Sequence, residues 1–548
     1  MSRFSHRAKT LLVLLVTGLV LLPACSKSTS PTPNADSSAT DPLLSSLSLA
    51  SYELTPAFSP SIHDYTISCA ENSRISLRHT TSTDAVLSLT PEAPVSLSPG
   101  ALLTVDVSSP GRSASYRVRC LPTDFPDLEV RGTPGVWIQT VLPARGARAS
   151  YLVLLDEHGT PVFYRRYKSS PPFVSYLAYE ALPRSVKEIL RQESDALLEI
   201  PLTYDEFGPF SQHQGTVVTL RSIEGEVLRT WNSPEGVAID HHDAAILPSG
   251  NLLVISYQET TPPSGIASAP FAASHPVFGE PDCLAGPFDA ATDNFMDSVI
   301  LEVTPTGSVV RTYSLKELLG ASAISFPIRF DTDQKVGSAN CVFDAYHANA
   351  LELTSSGEVL VSGLAMDGVV LIDLETSRAA YRLGGPSNAS SLTIKGDPLG
   401  GLSRIHDGRF TQSGLLSVFD NRIAHPTDRA RGVLYQIDSA SRTATFVSSF
   451  ETSCDGPLCA SQWGGSFRVA DNGSIVLAAG GRENGPSIEV LAASGKLVAS
   501  MVSSSVYRAV PVYPRLKSSE LAGLTTKLNS VPVTLDGSCS TDYFGTCR

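Results

Sequence analysis

The chain has 548 residues, of which 42% are hydrophobic and 17% are charged, with 40 glycines and 38 prolines. So many turn-forming residues argue against long helices and coiled coils, and the length suits several domains or one large repeat domain. The formal net charge of −13 argues against a protein that follows nucleic-acid backbones, so no nucleic-acid partner is expected.

The N-terminal residues predict export. Basic residues precede the apolar run at 11–22, which is too short to span a bilayer but fits the core of a secretory signal. The tetrapeptide LPAC that ends at Cys25 resembles a bacterial lipobox, whose cysteine becomes a lipidated N-terminus. We therefore expect a lipoprotein signal peptide at 1–24 and a Ser/Thr/Pro tether at 25–42. The mature chain would be an exported bacterial lipoprotein, periplasmic or on the cell surface, anchored to a membrane, by preference the outer one.

The cysteines fit an oxidising compartment. Nine are present, and setting Cys25 aside leaves an even number. Spacing alone leaves their connectivity open. The pairs that their positions suggest are 69 with 120, 283 with 341, 454 with 459, and 539 with 547.

Residues 43–121 predict a small β-sandwich. Short alternating segments are broken every eight to twelve residues by Pro, Gly, Asn or Ser, which indicates about seven strands. The opening LSSLSLASYELTPAFSPSIHDYTISC resembles the bacterial cadherin-like β-sandwich module. That resemblance implies a spacer or adhesion module without catalysis.

Residues 130–515 predict a six-bladed β-propeller. One strand-turn-strand unit recurs six times, beginning near residues 151, 216, 298, 368, 432 and 487. A second hairpin lies between copies, beginning near 241, 347, 406 and 465. Two hairpins per period make a four-stranded blade, so the fold class is all-β. A helical patch is expected only at 185–192, and residues 516–548 form a C-terminal segment.

Three histidines occupy nearly the same position in successive repeats. His242 and His406 each precede the turn glycine of their hairpin by eight positions, and His347 precedes its glycine by ten. Because blades are related by rotation, equivalent positions on inner strands form a ring around the axis. We therefore expect the three imidazoles to converge in one funnel.

An ordered set of motifs accompanies these histidines. They are HHD at 241–243, YHAN at 346–349, RLGG at 382–385, IHDGRF at 405–410, FDN at 419–421, a GG pair at 480–481 and YRA at 507–509. In order and in register, they resemble bacterial aryl sulfotransferases. The resemblance implies a periplasmic propeller that moves a sulfuryl group from a phenolic sulfate ester to another phenol, without a nucleotide donor, cofactor or metal.

The same resemblance implies the site residues. His406 matches the nucleophile that becomes transiently sulfated, and His242, His347 and Asn349 match further catalytic positions. Neutral imidazole can form a labile N–S bond, which gives ping-pong kinetics. We also expect His241 to contact substrate. Asp407 is a candidate for fixing the His406 tautomer, or simply a strand-end aspartate that bonds its own backbone.

One position departs from the family pattern. An arginine expected after the second histidine falls on Leu364, and an aliphatic side chain cannot grip sulfuryl oxygens. Another cation must enter the funnel, or activity is altered. Arg508 is the preferred substitute, and the other candidates are Arg404, Arg409 and Arg422.

Two further features leave alternatives open. The insertion at 258–297 is either an ordered lid over the funnel or a surface loop. For function, the alternatives are a non-catalytic binding or adhesion propeller and a metal enzyme. In the metal enzyme, His242, His347 and His406 would ligate a divalent ion together with Asp243 or Asp407.

Overall fold

Strands make up nearly all regular structure in the computed structural model of the chain. The structure describes residues 42–525, apart from 147–148, 168–172, 178–181, 191–192, 201–216, 267–287, 291–292, 332–340, 424, 426–427, 455–458, 462–463, 482–484, 504–505, 518–519 and 522–523. The expected signal peptide, Cys25, most of the tether, and Cys283, Cys539 and Cys547 lie outside these residues. Among the described helices, none has the length and apolar character needed to cross a membrane.

The N-terminal β-sandwich has eight strands, one more than the sequence indicates. They are β1 (Leu44–Leu49), β2 (Asp64–Ser68), β3 (Ser73–Ile75), β4 (Leu77–Thr81), β5 (Val86–Thr90), β6 (Val95–Leu97), β7 (Leu102–Ser109) and β8 (Arg112–Leu121). A four-stranded sheet in the order β2-β8-β7-β5 is accompanied by the pairs β1-β4 and β3-β6. Alternate residues of these strands share one hydrophobic core, as period-two patterning dictates. The expected Cys69–Cys120 disulfide joins the end of β2 to β8.

The remaining strands build the propeller. The first are β9 (Glu129–Gly132), β10 (Trp137–Pro143), β11 (Ser150–Leu155), β12 (Pro161–Tyr167), β13 (Phe173–Leu177), β14 (Ala196–Ile200), β15 (Val217–Ser222), β16 (Val227–Asn232), β17 (Ala244–Ile246), β18 (Leu252–Glu259), β19 (Asp293–Val303) and β20 (Val309–Ser314). Next come β21 (Ile328–Asp331), β22 (Cys341–Asp344), β23 (Ala348–Leu353), β24 (Glu358–Gly363), β25 (Gly368–Asp373), β26 (Arg378–Gly384), β27 (Thr393–Lys395) and β28 (Ile405–Phe410). The last are β29 (Leu416–Asp420), β30 (Arg431–Asp438), β31 (Thr443–Glu451), β32 (Gly465–Val469), β33 (Ile475–Ala479), β34 (Ile488–Leu491), β35 (Leu497–Val502) and β36 (Ala509–Val512).

Six sheets each contain four antiparallel strands, and each is one blade. In strand order the blades are β36-β10-β11-β12, β13-β14-β15-β16, β17-β18-β19-β20, β23-β24-β25-β26, β28-β29-β30-β31 and β32-β33-β34-β35. Every hairpin that recurs in the sequence is a hairpin of one of these blades. The all-β fold with a six-bladed propeller after a β-sandwich is therefore confirmed.

The blades close into a ring. A hydrophobic cluster lies between each successive pair of blades, including the sixth and the first. The first strands of neighbouring blades are in contact: β17 contacts β23, β23 contacts β28, and β28 contacts β32. These first strands therefore surround the central axis.

Two strands from opposite ends of the propeller complete the ring. The C-terminal strand β36 pairs with β10 and supplies the inner strand of the first blade. The N-terminal strand β9 pairs with β35 and adds a fifth strand to the last blade. Closure thus depends on hydrogen bonds between the two ends of the propeller.

The helices and the insertion differ from expectation. Helix α1 covers only Arg184–Lys187, shorter than the expected 185–192, and helix α2 (Leu315–Leu319) was not anticipated. Ser314 caps α2 by accepting a hydrogen bond from the backbone of Glu317, a capping-box spacing that the sequence contains. Both ends of the expected lid at 258–297 instead belong to the long strands β18 and β19. Most of the segment between them lies outside the described residues.

Candidate active site

Three histidines lie at the start of three successive inner strands. His242 shortly precedes β17, His347 directly precedes β23, and His406 is in β28. The ring centroids of His242 and His347 are 5.2 Å apart. The ring of Tyr507 lies between His242 and His406, with its centroid 5.9 Å from the first and 5.8 Å from the second. The matching offsets in the sequence thus correspond to one cluster of buried imidazoles.

Two of these imidazoles donate to carboxylates. Nδ1 of His242 is 2.6 Å from Oδ1 of Asp240, and Nδ1 of His347 is 2.5 Å from Oδ2 of Asp344. In both pairs the aspartate also accepts a hydrogen bond from the backbone N–H of the histidine. Sequence reasoning missed both partners, although the spacings D-x-H and D-x-x-H are typical of aspartates that bond a backbone two or three residues on.

His406 has a different partner, the amide of Asn421. Nδ1 of His406 is 2.9 Å from Oδ1 of Asn421. The amide orientation is determined because Nδ2 of Asn421 donates to the carbonyls of Ser461 (3.1 Å) and Gly464 (3.0 Å). Since an amide oxygen only accepts, Nδ1 of His406 carries the hydrogen and Nε2 keeps the lone pair.

The expectation that Asp407 fixes the His406 tautomer is wrong. Asp407 has a φ of 55°, which turns its side chain away from its neighbour. Its Oδ1 instead pairs with Nε of Arg409 at 3.1 Å and with Nη2 of Arg468 at 2.7 Å. Asp407 also does not bond its own backbone, the alternative expectation, because its carboxylate accepts from the guanidinium groups of Arg409 and Arg468.

Burial keeps His241, His242 and His406 neutral. It lowers the pKa of His242 and of His406 well below the usual value, and it lowers the pKa of His241 to about 3. The neighbouring charge of Arg508 acts in the same direction on all three. His406 therefore presents a neutral ring at neutral pH, which is the form able to act as a nucleophile.

Arg508 is the cation next to the histidines. It is buried, and its Nη2 donates to the backbone carbonyl of Asn349 at 2.5 Å. Its guanidinium lies 3.4 Å from Asp243 and 3.7 Å from Asp407. Arg409 also pairs with Asp243. Although burial opposes it, these two arginines lower the pKa of Asp243, so the carboxylate is ionised and holds Arg508 in place.

The other candidate cations have different partners. Arg404 pairs with Asp367 at 3.3 Å, and Arg422 pairs with Asp428 at 2.6 Å. Arg409 donates to Asp243 and to the carbonyl of Leu351. Leu364, where the sequence resemblance leads us to expect an arginine, packs in a small apolar cluster, while its backbone N–H donates to the carbonyl of His347 at 3.0 Å.

Asn349 and His241 complete the set of expected residues. Asn349 is buried, and its Nδ2 donates at 2.9 Å to the carbonyl of Ile405, the residue before His406. His241 stacks on His242 with ring centroids 4.5 Å apart and is one-fifth exposed. Both therefore lie in contact with the histidine cluster or the strand that carries it.

A β-bulge shapes the strand that carries His406. His406 pairs with Phe419 and Arg409 with Ser417, so the two residues between them oppose one residue of β29. One of the two is Gly408, where a Cβ would lie 2.7 Å from a methyl of Val369. The close approach of the neighbouring blade therefore requires glycine here.

The geometry offers a metal ion a different set of ligands from the set that the sequence predicts. Asp240, His241 and His242 are the described residues whose ligand atoms lie close enough together to hold an ion. The carboxylates expected for a metal, Asp243 and Asp407, pair with arginines instead. The three-histidine site with Asp243 or Asp407 is therefore wrong as a metal site, because its acidic members are already neutralised.

Part of the chain matches the model of a known family. Residues 281–504 match the model of the arylsulfotransferase (ASST) family, a region that contains His347 and His406. No curated protein sequence matches the chain.

Solved structures of low identity also match. A protein of unknown function from Bacteroides caccae is 13% identical, with a TM-score of 0.36, and the match covers 69% of this chain and 99% of that one. The periplasmic gluconolactonase of Pseudomonas aeruginosa is 13% identical with a TM-score of 0.34 and the same coverage. An inactive virginiamycin B lyase from Staphylococcus aureus is 9% identical with a TM-score of 0.27, again with 69% and 99% covered. At these scores the fold rests on the strand topology above.

Proposed function

We propose that this protein transfers a sulfuryl group from a phenolic sulfate ester to a phenol through His406, and the match of residues 281–504 to the arylsulfotransferase model supports the proposal. The observation that carries the proposal is the state of His406. Its ring is buried and neutral, its Nδ1 is occupied by Asn421, and a buried arginine lies in the same cluster. A neutral imidazole with one available lone pair is a competent nucleophile.

The transfer has two half-reactions. His406 attacks sulfur, the bond from sulfur to the aryl oxygen breaks, and the phenolate leaves. The acceptor phenol then attacks the sulfur of the sulfated histidine, and the N–S bond breaks. His347 gives the first phenolate its proton and takes a proton back from the acceptor phenol in the second half-reaction. The ping-pong scheme therefore balances without a cofactor.

Charge in the site supports the sulfuryl group during transfer. In this proposal Arg508 stabilises the sulfuryl oxygens and substitutes for the arginine expected at position 364; its burial among the site residues supports the role. Asn349 donates a hydrogen bond to the same oxygens, and His241 contacts substrate at the exposed side. His242, which is neutral with its hydrogen on Nδ1, accepts a hydrogen bond at Nε2 from the hydroxyl of the acceptor phenol. His347 passes a proton from Nε2 to the departing phenolate. Buried donors of this kind act strongly because water does not compete with them.

The alternative is a ligand-binding or adhesion propeller without transfer activity. The observation that favours it is Leu364, since the family's arginine is absent from that position and the side chain there is packed in an apolar cluster. In that case the arginine and histidines would bind a sulfate ester without breaking it. Measurement of turnover separates the two.

The experiment uses a chromogenic aryl sulfate. Purified mature protein is incubated with the ester, with and without a phenol acceptor, beside His406→Asn. Acceptor-dependent phenol release that disappears in the variant supports transfer. His79→Asn, which changes an exposed histidine of the sandwich, serves as the matched control and keeps full activity. Equal release by wild type and His406→Asn overturns the role of His406, and binding without release supports the alternative.

The cellular setting is part of the proposal. The chain acts as an exported lipoprotein, periplasmic or on the cell surface, with a lipid on Cys25 and the sandwich as a cadherin-like spacer between membrane and propeller. Support comes from the lipobox-like LPAC sequence, the apolar run before it and the two disulfides. Disulfides persist in oxidising compartments such as the periplasm.

A further inference from the structure

The three site imidazoles differ in the chemistry of their Nδ1 partners. His242 and His347 donate to carboxylates, whereas His406 donates to the amide of Asn421. A carboxylate stabilises the positive charge of a protonated imidazole, and it is also basic enough to take the proton from Nδ1. A carboxamide accepts the hydrogen bond but does not take the proton.

We propose that Asn421 is a positioning residue that holds His406 as the Nδ1–H tautomer and keeps the sulfated histidine in its reactive, positively charged form. The inference rests on the proposed function, because it assigns His406 the sulfuryl group. The inference specifies that Nε2 of His406 is the nitrogen that reacts, and it explains why the partner of Nδ1 is an amide.

The two steps balance around the Nδ1 hydrogen. The Nε2 lone pair forms the N–S bond while the electrons of the S–O bond leave on the phenolate. Nδ1 retains its hydrogen, so the sulfated ring carries one positive charge beside the negative sulfo group. When the acceptor oxygen bonds to sulfur, the N–S electrons return to Nε2 and neutral imidazole departs. With a carboxylate partner the ring would lose its proton, and the leaving group would be the far poorer imidazolate.

The surroundings lock the amide in one orientation. Ser461, which accepts from the amide, is itself held in place. Its backbone N–H donates to the backbone carbonyl of Asn421 at 3.0 Å, and its Oγ donates to the backbone carbonyl of Gly480 at 2.9 Å. Asn421 and Ser461 are fully buried. Turning the amide over would oppose Oδ1 to the two carbonyl oxygens of Ser461 and Gly464 and leave buried polar groups unsatisfied, which is unfavourable.

The first test observes the tautomer directly and needs no substrate. Wild-type protein labelled with ¹⁵N in its histidines is studied by long-range ¹H–¹⁵N NMR at pH 7, with His406 assigned by its absence in His406→Asn. We expect a hydrogen-bearing Nδ1 and an unprotonated Nε2. An Nε2–H tautomer or a doubly protonated ring would overturn the proposal even if the enzyme transfers sulfuryl groups normally.

The second test changes the partner. Asn421→Asp is loaded with aryl sulfate in the absence of acceptor, then chased with phenol, and the sulfated enzyme is followed by intact mass spectrometry. We expect the intermediate to form and to discharge about 10- to 100-fold more slowly, the range seen when outer partners of functional histidines are changed. Discharge at the wild-type rate by folded Asn421→Asp contradicts the proposal.

A matched variant controls for the charge change. Asn472→Asp alters an exposed turn between β32 and β33 and preserves the acceptor for the backbone of Ser474, so its discharge should equal wild type. If Asn421→Asp does not fold, the tautomer measurement decides. If wild type forms no sulfated His406 but has the expected tautomer, the proposed function fails while the tautomer assignment stands.

Discussion

Arg508 donates a hydrogen bond to the backbone carbonyl of Asn349, 159 positions earlier in the chain. The contact joins the segment before the last strand of the propeller to the segment that follows His347. Because Asp243 and Asp407 also hold the guanidinium, its position is determined by three separate blades. Arg508, which we propose as the substitute for the arginine expected at position 364, therefore enters the site from the closing strand.

Removal of this cation should impair transfer. We expect Arg508→Gln to lower kcat/KM for an aryl sulfate by about 100- to 1000-fold, the loss typical when a buried donor to a developing charge is deleted. Arg508→Lys should recover part of it, because the charge remains while the planar geometry is lost. Steady-state kinetics measure this, with the exposed Arg78→Gln of the sandwich as control. Full activity in Arg508→Gln would mean that another group binds the sulfuryl oxygens.

The pH dependence should reflect a histidine that resists protonation. Burial lowers the pKa of His406, so the ring stays neutral below pH 6.5, where an exposed histidine becomes charged. Acidification from about pH 7.5 to about pH 5.5 should therefore leave the rate of the first half-reaction nearly unchanged. Single-turnover phenol release without acceptor measures it. A tenfold loss per pH unit below about 6.5 would show that His406 titrates normally.

The sandwich disulfide should affect stability and not catalysis. The Cys69–Cys120 bond closes a loop of 51 residues within the N-terminal sandwich, away from the histidine cluster. Replacing both cysteines by serine should reduce the stability of the sandwich by about 2–5 kcal/mol. Thermal unfolding and aryl sulfate turnover measured together check this. Loss of turnover in folded protein at 25 °C would place the sandwich in the catalytic machinery.

The lipid anchor can be tested in cells. We expect Cys25→Ala to move the protein from the membrane fraction to the soluble exported fraction, because a diacylated cysteine is a strong membrane anchor and the protein lacks it after substitution. Fractionation and metabolic labelling with a fatty acid provide the measurement, and Ser26→Ala next to it is the control. Retention of Cys25→Ala in the membrane fraction would indicate a different means of attachment.

The sequence predicts the blades because their signal is local and repeated. Hairpins such as the one from β25 to β26 place an apolar strand, a polar turn and a second strand in succession, and this pattern recurs six times. The offset of His242, His347 and His406 from their turns follows from the same repetition. Strand β9 escaped notice because four residues give too little alternation to identify a strand.

The partners of the histidines were harder to foresee. Asp240 and Asp344 are close to their histidines in sequence, but the spacing differs between them, so the repeat does not reveal their common role. Asn421 follows the opposite strand of the hairpin, 15 positions after His406, and meets it only after β28 and β29 pair. Asp407 is next to His406 in sequence yet faces elsewhere, because the bulge rotates the strand between them.

The closure of the ring by β36 determines when the site can work. Arg508 immediately precedes β36, and Thr140 on β10 donates from its hydroxyl to the Arg508 carbonyl at 2.9 Å. The histidines come from blades made earlier in synthesis, but their cation arrives only when the end of the propeller pairs with its beginning. A chain that is still being synthesised, or that has lost β36 and the residue before it, therefore holds three imidazoles without the neighbouring cation. The transfer that we propose thus requires the complete, closed propeller.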